Sequence, residues 1–276
     1  MVRVYDDLDA LSRAAAEVIA RAAEQAVRDR GRFTIALAGG STPRHLYQLL
    51  ASAYRDAMPW SAIHIFFGDE RCVPPTDAAS NYRMANDALL SHVPIPEAQV
   101  HRIRGELASR DAAREYGKLL RRVFGTERAA DGAGGGRTGD LAGSEAGATS
   151  GSVSAPATFD VVLLGVGPDG HTASLFPGTP VLEERKHWVM EVDAPDYIAP
   201  PRERVTLTFP PLNASRTVLF LVAGEEKQRV VTEILGADAR TPTSYPAARV
   251  HGRERTVWLL DRVAAGTLDA AQLGRR

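Results

Sequence analysis

The chain has 276 residues, 44% hydrophobic and 24% charged, enough to bury a full core as one large domain or two small ones. Its formal net charge of −1 excludes a protein that coats nucleic acid but leaves room for a localised anion site. A single cysteine, Cys72, excludes an intrachain disulfide, and no apolar run approaches the ~20 residues of a membrane span, so a cytoplasmic protein with no membrane partner is expected.

Val2–Tyr5 reads as a short strand, and Asp6 or Asp7 can cap the helix that follows. In that helix Leu8, Leu11, Ala15, Val18, Ile19, Ala22 and Ala26 recur at helical spacing as far as about Arg30, and Gly31 ends it. Phe33–Ala38 is a strong buried strand that runs into Gly39-Gly40-Ser41-Thr42-Pro43, and then into a helix from about Arg44 to Tyr54. Pro43 suits a first helical turn, where its missing N–H is not needed. Two glycines let the backbone approach a ligand, Ser41 and Thr42 add hydroxyls, and a helix N-terminus presents free N–H groups. This is a phosphate cradle in outline; a tight turn with an N-cap fits the same residues. It is not a Walker loop, which needs a lysine after the glycine.

Ile63–Phe67 is the next strand, ending in the turn Gly68-Asp69-Glu70-Arg71. Asp69 and Arg71 can both face a site there, with Glu70 turned away into a structural pair; a solvated turn is the alternative. Cys72 reads as an inert neighbour, because no histidine partner is identifiable from spacing. Asn81–Leu90 reads as a helix closed by Pro94 and Pro96, Val100–Ile103 as a short strand, and Asp111–Phe124 as a further amphipathic helix. From Gly125 to Thr158 there is no aromatic residue, and Gly, Ala, Ser and Thr dominate. Such a stretch cannot bury enough apolar area to offset its ordering entropy. It is read as a flexible insertion at about 126–158 within a single domain spanning 1–276.

A buried strand resumes at Val161–Leu164 and enters Gly165-Val-Gly-Pro-Asp-Gly-His171, which sets down Asp169 and His171 within three residues. An imidazole at a strand's carboxyl end can serve as a base, and a carboxylate two residues away can orient it or bind substrate. Gly165, Gly167 and Gly170 also match a dinucleotide fingerprint, but Pro177 and Gly178 leave no room for the long helix that fingerprint requires. His187–Val192, Arg204–Phe209 and Thr217–Val222 read as strands, and Gly224 leads into a helix, Glu225–Leu235. Lys227 lies in its first turn, where it opposes the helix dipole; an anionic ligand, or Glu225 or Glu226, must favour it there. Strand Thr256–Leu260 and a short C-terminal helix close the chain. Strands followed by helices from end to end predict an α/β fold: a mostly parallel, Rossmann-like open sheet with helices on both faces. There is no G-x-S-x-G nucleophile elbow and no zinc-ligand spacing. The residues by themselves point to a small phosphorylated substrate and acid–base catalysis.

Ala38–Pro43, Phe67–Pro74, Ser80-Asn-Tyr82, Gly165–Pro177 and Arg204–Thr208 together resemble the 6-phosphogluconolactonase family. The likeness runs in order from the first strong strand to Trp258, and the 126–158 insertion departs from it without touching the motifs. The wider family includes glucosamine-6-phosphate deaminases, which resemble this chain less at Asp69-Glu70-Arg71, where an aromatic usually replaces the arginine. The resemblance implies hydrolysis of 6-phospho-D-glucono-1,5-lactone to 6-phospho-D-gluconate in the oxidative pentose phosphate pathway, without metal or organic cofactor. It implies that His171 is the general base, that Asp169 holds the site's geometry, and that Asp69 belongs to the catalytic group. Gly39, Gly40, Ser41, Thr42, Arg71, Arg204 and Lys227 would bind the phosphate or the developing oxyanion. The expected partner is the sugar-phosphate lactone alone, with no nucleic acid, and the chain is expected to act as a monomer or weak homodimer. Two alternatives remain: an amino-sugar phosphate deaminase/isomerase, and a non-catalytic sugar-phosphate sensor. The sensor would need a DNA-binding segment, and nothing before Phe33 resembles one.

Overall fold

In a computed structural model of the chain, residues 1–125, 156–199, 202–236, 244–266 and 268 are described. Among the described residues, nine strands divide between two sheets. The larger holds β1 (Val2–Tyr5), β2 (Phe33–Leu37), β3 (Ile63–Phe67), β5 (Val161–Leu164), β8 (Thr217–Val222) and β9 (Arg255–Asp261), in the order β1-β9-β8-β5-β2-β3, every pair parallel. All residues of β2, β5 and β8 are buried. Successive side chains on a strand point to opposite faces, so the sheet is covered on both, which is why these strands read as unbroken apolar runs.

The helices are α1 (Leu8–Arg30), α2 (Ser41–Ala51), α3 (Asn81–Ala88), α4 (Ser109–Gly125), α5 (Phe209–Ala214), α6 (Gln228–Leu235) and α7 (Arg262–Ala265). Asp7 caps α1 by accepting from the Ala10 N–H, and Gly31 closes it in the left-handed region (φ 74°), as its sequence signals require. Asp160, buried ahead of β5, accepts from the Thr34 N–H (2.8 Å) and hydroxyl (2.9 Å) and from Arg30 (2.7 Å). It locks the starts of the two central strands together.

The sequence reading differs from the structure chiefly in strand pairing. Asp69–Arg71 is not a turn: it is a short strand, β4, paired antiparallel with β7 (Glu203–Leu207). β7 pairs in turn with β6 (Val189–Asp193), so the strands expected at His187–Val192 and Arg204–Phe209 are β6 and β7 of a separate three-stranded antiparallel sheet, not members of the parallel one, and Phe209 already opens α5. Val100–Ile103 makes only an isolated bridge from Val100 to Ile65. The proposed insertion falls outside the described residues except for 156–158, and there Ala157 is fully buried, so the packed part of the chain begins before Thr158.

The order of the large sheet fixes where a ligand can bind. From β2 the chain moves to β3 on one side, whereas β5 leads to β8 and β9 on the other. The loops after β2 and β5 therefore part at their carboxyl ends, opening a crevice at the topological switch point.

Candidate active site

A cleft of about 420 Å³ occupies that crevice. It brings together Gly39, Gly40, Ser41 and Thr42 after β2, Asp69 and Arg71 on β4, His171 after β5, Arg204 on β7 and Lys227 after β8. Of the site residues expected from sequence, only Asp169 is not part of the wall; it sits behind His171.

The phosphate-like turn uses its glycines for two purposes. Gly40 adopts φ 104° as the N-cap of α2, a conformation that side chains other than glycine rarely take. At Gly39 a Cβ would fall 2.0 Å from Asn81 Oδ1, so only glycine lets α3 approach β2 this closely. Helix α2 then begins at Ser41, three residues earlier than its sequence suggested, and its first turn faces the cleft.

The β5 loop carries the titratable pair. His171 Nδ1 lies 2.6 Å from Asp169 Oδ1, and the His171 backbone N–H donates to the same oxygen at 3.2 Å. A nitrogen facing a carboxylate carries the proton, so in the neutral ring Nε2 keeps its lone pair. The ring has room because residue 167 is glycine: a Cβ there would meet His171 Nδ1 at 2.1 Å. Phe176 packs against the imidazole, ring centroids 4.8 Å apart. Burial by itself would raise the Asp169 carboxyl, but its bonds from His171 and from the Tyr197 hydroxyl (2.9 Å) outweigh that and hold it at about 2.

Asp69 is 7% exposed and saturated: Oδ2 accepts from the Ser174 hydroxyl at 2.6 Å and Oδ1 from Asn81 Nδ2 at 3.1 Å. Its carboxylate cross-links three segments of the wall. Ser174 follows Ala173, whose φ of 48° is unusual for a residue with a Cβ; the Ser174 bonds to Asp69 and Thr206 hold that conformation. Glu70 turns away from the cleft, as expected, and caps α3: its two oxygens accept from the backbone N–H groups of Asn81 (2.7 Å) and Tyr82 (2.8 Å) and from the Ser80 hydroxyl (3.1 Å). Burial raises its carboxyl in spite of those bonds.

The opposite wall is cationic. Arg71 and Arg204 are cross-strand partners in the β4–β7 ladder, so their side chains share a face. Burial lowers the Arg204 guanidinium, and the neighbouring Arg71 charge lowers it further. Lys227 is only 20% exposed and stands 3.7 Å from Glu226 Oε1, which also lines the cleft. The neighbouring glutamate foreseen from sequence is therefore present, but at a distance that leaves the ammonium donors room for another acceptor. Two buried polar atoms of this region, Arg71 Nε and Asn81 Oδ1, have no hydrogen-bond partner among the described residues. Cys72 is set apart from the chemistry: burial pushes its thiol up to about 11.

Sequence reading gave no role to Asn81, Ser174, Tyr197 or Glu226. Asn81 lay within a quoted motif, and Glu226 was noted only as a neighbour of Lys227. Ser174 also lay within one of the motifs, but its partner is 105 residues away, and nothing local marks Tyr197, whose partner is 28 residues away. Among the described residues, no three His, Cys, Asp or Glu side chains converge on a metal-sized site.

The profile of the family described as "Glucosamine-6-phosphate isomerases/6-phosphogluconolactonase" matches residues 6–258. A 6-phosphogluconolactonase of Synechocystis is 40% identical over 247 residues, 88% of each chain. The chloroplastic 6-phosphogluconolactonase 3 of Arabidopsis thaliana is 35% identical over 97% of this chain and 75% of its own length. The crystal structure of 6-phosphogluconolactonase from Thermotoga maritima superposes with a TM-score of 0.74 at 31% identity, over 95% of this chain and 99% of that one.

Proposed function

This chain belongs to the family of glucosamine-6-phosphate isomerases and 6-phosphogluconolactonases, and from that premise we propose that it hydrolyses 6-phospho-D-glucono-1,5-lactone to 6-phospho-D-gluconate, with His171 as general base. The observation that carries this reading is one cleft with an oriented imidazole on one side and three cations on the other.

The lactone is an activated ester, so a positioned and deprotonated water suffices as nucleophile. His171 Nε2 takes a proton from that water as its oxygen attacks C1. Charge collects on the carbonyl oxygen, where an N–H group or a cation of the wall stabilises it. The ring C–O bond then breaks, and the imidazolium returns its proton to the departing C5 oxygen. Asp169 remains ionised throughout and keeps Nδ1 protonated. The C6 phosphate fits the side formed by the Gly39–Thr42 turn, Arg71, Arg204 and Lys227. A dianion there relieves the mutual repulsion of Arg71 and Arg204, and it offers acceptors to donors such as the unpartnered Arg71 Nε. The lone cysteine favours a cytoplasmic setting, while the Arabidopsis relative carries a chloroplastic name. A monomer or weak homodimer suffices, because every group invoked comes from one chain.

A coupled assay on freshly prepared 6-phosphogluconolactone tests the proposal, with production of 6-phosphogluconate well above the spontaneous rate expected. Ammonia release from glucosamine 6-phosphate, with no acceleration of lactone hydrolysis, would replace this reading with the isomerase one.

A further inference from the structure

The segment 194–199, which follows β6, lies along one edge of the cleft. Its base is closed by Ala194 and Arg202: the Ala194 N–H donates to the Arg202 carbonyl (2.9 Å), and Arg202 Nε donates back to the Ala194 carbonyl (3.1 Å). Arg202 also pairs with Asp196 at 2.5 Å, and the Ile198 N–H turns back onto the Pro195 carbonyl at 2.9 Å. Ile198 and Ala199 form part of the cleft wall. Between these anchors stands Tyr197, which is 64% exposed, so apolar packing does not explain its place. What it does make is one directed contact: its hydroxyl donates to Asp169 Oδ2 at 2.9 Å.

A carboxylate facing an imidazole with one oxygen can still turn about its own Cβ–Cγ bond unless the other oxygen is also held. Asp169 has both held, Oδ1 by His171 and Oδ2 by Tyr197. We propose that Tyr197 is a positioning residue: it holds Asp169 so that His171 stays oriented with Nε2 toward substrate, and it ties the Ile198–Ala199 wall to the base. This rests on the reading of His171 as the base. Local loss of water around the hydroxyl, though the ring is exposed, and then the bond to Asp169 push the Tyr197 phenol up to about 12, so it remains a protonated donor across the working range of pH.

The arrangement has a consequence that a merely structural tyrosine lacks. A hydroxyl bonded to Oδ2 draws charge away from the carboxylate that stabilises the imidazolium. Without it, Asp169 acts more strongly on the ring, and the acid limb of kcat/KM moves to higher pH. Asp69, Arg71, Arg204, Lys227 and Glu226 also line this cleft, but they are the same in wild type and variant, so the difference isolates Tyr197.

The test compares Tyr197→Phe, Asp169→Ala, their double variant and His171→Ala on 6-phosphogluconolactone. Tyr197→Phe is expected to keep the wild-type Tm, to lose kcat about three- to tenfold with little change in KM, and to shift the acid limb upward by roughly half a pH unit. In the Asp169→Ala background the same substitution is expected to cause no further loss, because the hydroxyl has nothing left to hold. A Tyr197→Phe profile superimposable on wild type, or an equal loss in both backgrounds, overturns the role of Tyr197 while an inactive His171→Ala protein keeps the base. A His171→Ala protein of undiminished kcat overturns the base and Tyr197 with it.

Discussion

His171 shows how much a single side chain depends on its immediate neighbours. Its ring occupies space that a Cβ at residue 167 would fill, and its Nδ1 faces a carboxylate held at about 2. His171→Ala removes the proposed base from a half-buried position, so kcat should fall about 10²–10⁴-fold with the fold intact, as read by steady-state kinetics beside circular dichroism. The cations call for a subtler experiment. Phosphate and reacting carbon lie at opposite ends of the sugar, so phosphate contacts act by offsetting the cost of orienting the lactone. A charge-assisted hydrogen bond is worth roughly 1.5–3 kcal/mol, so Lys227→Ala should lose about 10–150-fold in kcat/KM on the phosphorylated lactone. It should lose far less on unphosphorylated gluconolactone. Equal losses on both substrates would place Lys227 at the carbonyl or in the fold. Arg71→Ala, run in parallel, separates an oxyanion contact, which penalises both lactones, from a phosphate contact, which penalises one.

At the scale of elements, the outer edge of β3 holds a second pair of titratable groups that the chemistry does not use. His64, on the strand, and His101, in the segment that bridges to it, meet through Nδ1 and Nε2 at 3.1 Å, and Phe66 stacks on His101 with centroids 4.5 Å apart. Burial lowers both rings. The Arg32 charge adds to this at His64, and His64, Arg122 and Arg32 add to it at His101, which falls to about 4. In the interval below 6.5 the unfolded chain therefore binds more protons than the folded one, and stability rises with pH there. The contribution is fully present above about 6.5 and is lost as pH falls toward about 4. His101→Phe keeps the stacking and removes the titration. Its Tm is expected to fall less than that of wild type between about pH 7.5 and pH 4.5; a difference in Tm that stays constant with pH would show that these rings do not govern acid stability.

On the scale of the whole molecule, the parallel sheet and its cleft are assembled from segments on either side of the Gly125–Thr158 stretch. Phe124 and Phe159, which bracket it, pack edge to face with centroids 5.0 Å apart, and Ala157 is already buried. Replacing Arg128–Ala155 with a short Gly/Ser linker should leave Tm and kcat/KM nearly unchanged, because that composition offers little core to lose. A clear fall in either quantity would show that the segment packs against the domain or covers the cleft.

The sequence by itself determined the central strands of the parallel sheet, the loops at their carboxyl ends and nine of the residues that line the cleft. Each of those signals is local: an unbroken apolar run marks a central strand, and the glycines, hydroxyls and charges that follow it in the chain mark its carboxyl end. The tertiary structure alone decided which strands pair outside that sheet, and so turned Asp69–Arg71 from a turn into β4 and set Arg71 opposite Arg204. It also decided that Glu70 caps α3, that Asn81 fills the space beside Gly39, and that Tyr197 reaches Asp169 across 28 residues. A three-residue strand has no periodicity to read, and an exposed tyrosine or a buried serine has no local pattern that names a distant partner. Their roles arise from hydrogen bonds between segments far apart in the chain, which exist only once the sheet order has brought those segments to the same crevice.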